Sequence, residues 1–213
     1  MPAGGSRAKV CFVLAACFSS LTAVAQSGEY VGTPVTRWEA DGRSMILVDS
    51  FEYVDGNGRS WHVPNGVRID GASIPGAFWS LIGAPFEGKY REASIIHDYF
   101  CEQRRRRWQD VHKVFHEAML TSGVGSAKAF VMYKTVEKFG PRWDEPKVNP
   151  KCLRPDGKFD FDSCTENSGY LPTNVTMPHI GKSELEGLIE EVKGQASPDD
   201  VRALEDLAKK AGD

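Results

Sequence analysis

Three stretches of this 213-residue chain place titratable side chains where they can do chemistry. The first is Ile95-Ile96-His97-Asp98-Tyr99-Phe100, a His-Asp pair inside an apolar run. A carboxylate left unpaired in such surroundings is costly. On a helix, neighbouring side chains diverge by about 100°. One of the pair can therefore face a ligand as a general base while the other holds a loop or a cation. The competing reading is that both satisfy backbone groups of the bent segment that follows Asp70. The second stretch, Arg68-Ile69-Asp70-Gly71-Ala72-Ser73-Ile74-Pro75, sets a carboxylate and a hydroxyl around a glycine. Such a turn can offer backbone N–H groups to an anion, or it can cap a helix. The third is Asp110-Val111-His112-Lys113-Val114-Phe115-His116-Glu117. His112 and His116 are four apart, the spacing at which two imidazoles on one helix can share a metal. Zinc would need a further protein ligand, for which His97, Asp98 and Asp110 are the candidates. Cys101 lies on an apolar-rich helix and reads as a buried, inert thiol. Arg104 to Arg107 reads as a solvated helix end favoured by the helix dipole, with an anion-binding patch as the alternative.

The elements that must position these residues follow from pattern and punctuation. Ser44 to Val54 is rich in β-branched and aromatic residues and predicts a strand. Asp55-Gly56-Asn57-Gly58 is a turn signal, with Arg59 to Val63 returning as partner and Val67 to Ile69 as a further short strand. Gln26 to Trp38 reads as an extended lead-in, with Pro34 excluding a central strand. A short helix is expected near Gly76 to Ile82. Three longer helices should span Tyr90–Arg104, Gln109–Thr121 and Ser126–Phe139, the last stopped by Gly140-Pro141. Ser183-Glu184-Leu185-Glu186 and Ser197-Pro198-Asp199-Asp200 carry helix-start signals. The predicted fold is α+β: a small antiparallel sheet packed against a three-helix cluster, with short C-terminal helices.

The first residues have a separate logic. Arg7 and Lys9 precede the mostly apolar Val10 to Leu21, and Ala23-Val24-Ala25 supplies small residues for cleavage. That is a signal-peptide pattern. Its apolar run of about twelve residues is short of the roughly 20 that a membrane span needs. The expected organisation is a leader at 1–25, one α+β domain at 26–180 and an acidic helical appendage at 181–213. An alternative cut before Cys17, after Leu14-Ala15-Ala16, would leave an acylated cysteine and a lipid anchor. Losing Arg7 and Lys9 takes the net charge from −3 to −5, an acidic balance that argues against nucleic acid as a partner. Of five cysteines, Cys101, Cys152 and Cys164 remain after cleavage at Ala25. Export permits disulfides, and a Cys152–Cys164 bridge is expected to close the polar loop between them.

Taken together, Val63-Pro64-Asn65-Gly66, Asp70 to Pro75, Phe78-Trp79, His97-Asp98-Tyr99, Arg107, Asp110 and Phe139-Gly140 resemble a domain of unknown function found in bacteria and tailed phages. The resemblance spans roughly Ser44 to Trp143 and implies no particular activity. More loosely, His97-Asp98-Tyr99 looks similar to the His-Asp helix of secreted phospholipases A2, although the cysteine pattern and glycine-rich calcium loop of those enzymes are missing.

The expectation is an exported, hydrolase-like protein in which His97 acts as base, Asp98 and Asp110 orient it or hold a cation, and Asp70 completes the pocket. The alternative is a non-enzymatic envelope or interaction protein with structural His and Asp residues. Its partner would be a small molecule or an envelope polymer. The sequence assigns no cofactor beyond the metal considered at His112 and His116.

Overall fold

The computed structural model describes Met1 and residues 28–71, 74–83, 86, 88–144 and 174–212. The leader with Cys17, the pair Ala72 and Ser73, and the Cys152 to Cys164 stretch lie outside the described residues. The fold is α+β. Strands β1 (Glu29–Val31), β4 (Phe51–Val54) and β5 (Ser60–Val63) form one antiparallel sheet in the order β1-β4-β5. Strands β2 (Thr36–Trp38), β3 (Met45–Leu47) and β6 (Arg68–Ile69) form a second in the order β2-β3-β6. A third ladder pairs β7 (Arg142–Trp143) with β8 (Val175–Thr176).

Alternation along β4 and β5 explains the core. Phe51 pairs with Val63, and Tyr53 with Trp61, and all four are buried on one face. That is the period-2 pattern of a half-buried antiparallel pair. The single strand expected over Ser44–Val54 is in fact two. Leu47 donates to Val67 and Val48 to Val35, both through backbone N–H groups, while β4 resumes at Phe51 in the other sheet. The break falls at Asp49-Ser50, turn-forming residues that let the chain change sheets. The lead-in contains β1 and β2, with Pro34 between them and outside both ladders.

A 3₁₀ turn (Gly76–Phe78) runs into the one-turn helix α1 (Trp79–Ile82). Then come α2 (Arg91–Gln103), α3 (Trp108–Thr121) and α4 (Ser126–Phe139). Helix α2 stops where Arg104 turns left-handed at φ 53°, a conformation a non-glycine residue adopts with difficulty. Its packing on α3, and that of α3 on α4, buries Ile96, Phe115, Ala118, Met132 and Val136 completely. Such tertiary burial is what stabilises helices of this length.

Helices α5 (Lys182–Val192) and α6 (Pro198–Lys210) follow. Ser197 caps α6 by accepting from the Asp200 amide at 3.1 Å, with Pro198 in the first turn. Residue Gly181, rather than Ser183, is the cap of α5. Leu185, Leu188, Val192 and Leu204 are buried in the common core, and α5 packs on α4. Among the described residues no helix is long and apolar enough to cross a membrane.

The disulfide expectation is corrected. Among the described residues there is no disulfide, and Cys101 is a buried free thiol. The reading of Arg104 to Arg107 as a uniformly solvated end also changes. Arg106 is buried, its guanidinium 4.0 Å from the Trp61 ring centroid and 4.7 Å from that of Phe100. It donates to the Ser60 carbonyl at 2.6 Å. Cation–π stacking in a desolvated slot offsets the burial of the charge.

Candidate functional site

His97 and Cys101 are four residues apart on α2, so both face α3. His112 comes from the facing side of α3. The His97 Nε2 and His112 Nδ1 atoms are 2.8 Å apart, and Cys101 Sγ lies 3.6 Å from His97 Nε2. All three donor atoms fall within 4.8 Å of one another. The cluster is buried: His97 is 1 % exposed, His112 0 % and Cys101 7 %. Phe115 lies against the His97 ring at 4.5 Å between centroids, and Trp108 flanks His112 at 5.6 Å.

Burial disfavours the charged imidazolium. It pushes His97 well below the usual histidine value, helped by the neighbouring His112. It also pushes His112 down to about 4. Both rings are therefore neutral at physiological pH. His112 Nε2 lies 3.2 Å from the Pro141 carbonyl oxygen. A carbonyl only accepts, so Nε2 carries the His112 proton and Nδ1 presents a lone pair toward His97. The neutral His97 then donates from Nε2–H.

Cys101 and Pro141 help line a cleft of about 320 Å³, together with Arg68, Asp70, Asp98 and Arg104. The cleft thus reaches the cluster through Cys101. Asp98 Oδ2 accepts from the Gly71 amide at 2.6 Å, tying α2 to the turn after β6. Gly71 sits at φ 66°, which suits glycine. Of the residues singled out in the sequence, Asp70 and Asp98 share this cleft, and His97 lies behind its Cys101 wall. Asp110 stands elsewhere, at the first turn of α3, with its carboxylate 3.6 Å from Arg59. His112 is brought to His97 rather than to His116. The ring of His116 packs on Tyr133 at 5.1 Å, and partial burial lowers its pKa. The sequence places Cys101 on this helix as a buried thiol, as found, but not with the two histidines, although its spacing of four from His97 was the available signal.

Residues 45–136, which run from β3 through most of α4 and include the whole cluster, match the family described as "Protein of unknown function (DUF1353)". The chain contains a DUF1353-family domain. It is 47% identical over 173 residues to the "Uncharacterized protein y4jT" of Sinorhizobium fredii, covering 78% of this chain and 52% of that protein. It is 32% identical over 176 residues to the "Uncharacterized protein y4iH" of the same organism, covering 81% of this chain and 66% of that one. The chain therefore spans about half the length of the first of these relatives. No solved structure matches. The site of this DUF1353 domain is thus a buried His97/Cys101/His112 cluster capable of coordination.

Proposed function

We propose that the chain is an exported, hydrolase-like protein whose reaction site is the cleft at the C-terminal half of α2, with the His97/Cys101/His112 cluster as its chemical centre. The observation that carries this reading is that one cleft is lined by Cys101, Asp98 and Asp70 together, with two neutral imidazoles directly behind the thiol. Perturbed, buried histidines next to a polar concavity are the usual mark of a reaction site. Two arginines, Arg68 and Arg104, and two aspartates, Asp70 and Asp98, are among the residues that line the same space. They suit a polar substrate, either a small molecule or a segment of an envelope polymer. Residues 1–25 are assigned to export, with acylation at Cys17 as the alternative outcome of processing. The arrangement in the resembled phospholipases A2 gives way here to a His-His pair.

Hydrolysis of a panel of esters, amides, phosphoesters and glycosides by the purified chain tests the reading. Activity against one class should fall at least ~100-fold in Asp70→Asn, on the scale typical for lost catalytic groups. A well-folded protein inactive on the whole panel would count against it.

A second reading is favoured by one observation. Asp98 receives the Gly71 N–H while His97 and His112 are sealed from solvent, as struts would be. In that case the protein is a non-enzymatic envelope component. Substitutions at the cluster would then change stability alone.

A further inference from the structure

Three donor atoms from two helices meet at one point, and their chemistry is that of a metal site. Among the described residues this is the group of His, Cys, Asp and Glu side chains whose ligand atoms come close enough for one ion. A tetrahedral ion with bonds of about 2.0–2.1 Å to nitrogen and about 2.3 Å to sulfur holds its N···S edges near ~3.6 Å and its N···N edge near ~3.3 Å. The Cys101 Sγ to His97 Nε2 distance of 3.6 Å already has the required length. The His97 to His112 separation of 2.8 Å would open by about 0.5 Å, which small ring rotations supply.

A second feature points to the same end. The His112 ring is fixed from behind by the Pro141 carbonyl on Nε2. This leaves the Nδ1 lone pair aimed at the other two donors. A backbone carbonyl on the far nitrogen is the common outer-shell device for orienting a metal-ligating histidine. Gly140 keeps the device compact, since a Cβ there would come within 3.2 Å of His112 Cε1 and 2.4 Å of the Val136 carbonyl oxygen.

We propose that His97 Nε2, Cys101 Sγ and His112 Nδ1 bind one divalent transition-metal ion of the zinc class, with the fourth position turned to the cleft that Cys101 lines. One thiolate and two imidazoles select zinc, cobalt or copper over calcium and magnesium, which prefer oxygen. Three protein ligands with an open fourth position is the catalytic rather than the structural pattern. The proton balance is definite. The Cys101 thiol loses its proton to solvent as sulfur bonds to the metal. His97 moves its proton from Nε2 to Nδ1 with no net change, and His112 keeps its own on Nε2. Binding therefore releases one proton per ion, and a second only when a metal-bound water ionises.

Metal binding and hydrolysis are separable. A metalloprotein without turnover would retire the function proposed above and leave this site standing, while turnover by a chain that binds no added metal would do the reverse. The test uses the purified chain, stripped by chelator and titrated with Zn²⁺ and Co²⁺ alone. One ion per chain should bind, and Co²⁺ should give a thiolate-to-cobalt charge-transfer band. Cys101→Ser should abolish that band, and both it and His112→Gln should weaken Zn²⁺ binding by roughly tenfold or more. His116→Gln should change neither. As a check that needs no variant, Zn²⁺ should slow alkylation of Cys101, followed by peptide mass spectrometry. Absence of the charge-transfer band in the wild type, binding that survives both ligand substitutions, or loss on His116→Gln would each overturn the proposal.

Discussion

His97 and His112 share a hydrogen bond of 2.8 Å in the sealed seam between α2 and α3, with neither ring charged. This pair couples the two helices at the point where the cleft begins. Truncating one partner removes packing and strands the other ring in an apolar setting. In metal-free protein, His112→Ala should therefore cost about 2–4 kcal/mol, from the cavity and the unsatisfied His97 nitrogen together. Urea unfolding in chelator measures it, and a loss below about 0.5 kcal/mol would show that the pair contributes little.

Acid should act on the same pair. Both histidines have lowered pKa values in the folded chain, His112 at about 4 against an ordinary 6.5. Between these values the unfolded chain binds protons that the folded one refuses. Stability is thus fully present above pH ~6.5 and is lost as pH falls toward ~4, with His112 alone contributing on the order of 3 kcal/mol. Chemical denaturation of the chelated protein across this window should show the decline, and a flat profile would contradict the assignment of two neutral buried rings.

The Asp98 bond to Gly71 should matter locally before it matters globally. Asp98→Ala leaves a buried amide without its acceptor and should cost about 1.5–3 kcal/mol. Asp98→Asn retains an oxygen acceptor and should cost less. Hydrogen exchange at the Gly71 amide reads the difference directly: faster in the alanine variant, close to wild type in the asparagine variant.

Gly140→Ala tests the close approach of the chain to His112. Its Cβ would meet the Val136 carbonyl oxygen at 2.4 Å and the His112 ring at 3.2 Å. Its backbone at φ −72° is otherwise open to any residue. Overpacking of this kind should cost roughly 1–3 kcal/mol. The His112 ring resonances should move in the NMR spectrum while those of His116 stay fixed.

Arg106→Lys should be a poor replacement. Lysine lacks the planar group that stacks on Trp61 and Phe100, and it cannot reproduce the directed bond to Ser60. A loss of about 1–3 kcal/mol is expected, with reduced shielding of the Trp61 fluorescence. Equal stability of the two proteins would mean that the slot accepts any cation.

What the sequence revealed depended on how local the determinants were. Helix α4 begins at Ser126 and ends at Phe139 as expected, because Gly140-Pro141 terminates it within its own sequence. The Ser197 cap was legible for the same reason. The division of Ser44–Val54 between two sheets was not, because β-propensity is continuous across Val48 and only distant pairing partners separate the halves. Within the site, His97, Asp98 and Asp70 were visible as polar residues in apolar or glycine-bearing surroundings. The partner of His112 was not, since spacing within α3 suggested His116 and only helix packing brings in His97. Arg106 was misread because Trp61, which covers it, comes from a strand 45 positions earlier in the chain.

The short turn from Arg104 to Arg107 carries a consequence for how the molecule assembles. Only 15 positions separate His97 from His112, whereas Tyr30 reaches Ser122 across 92. Loop closure grows more costly with separation, and contacts between near neighbours along the chain form sooner. The centre is thus expected to take shape in a helical hairpin while the sheets are still searching for their register. The Tyr30 clasp, closing the amino-terminal strand over α3, would come last and set the rate at which the finished protein reopens.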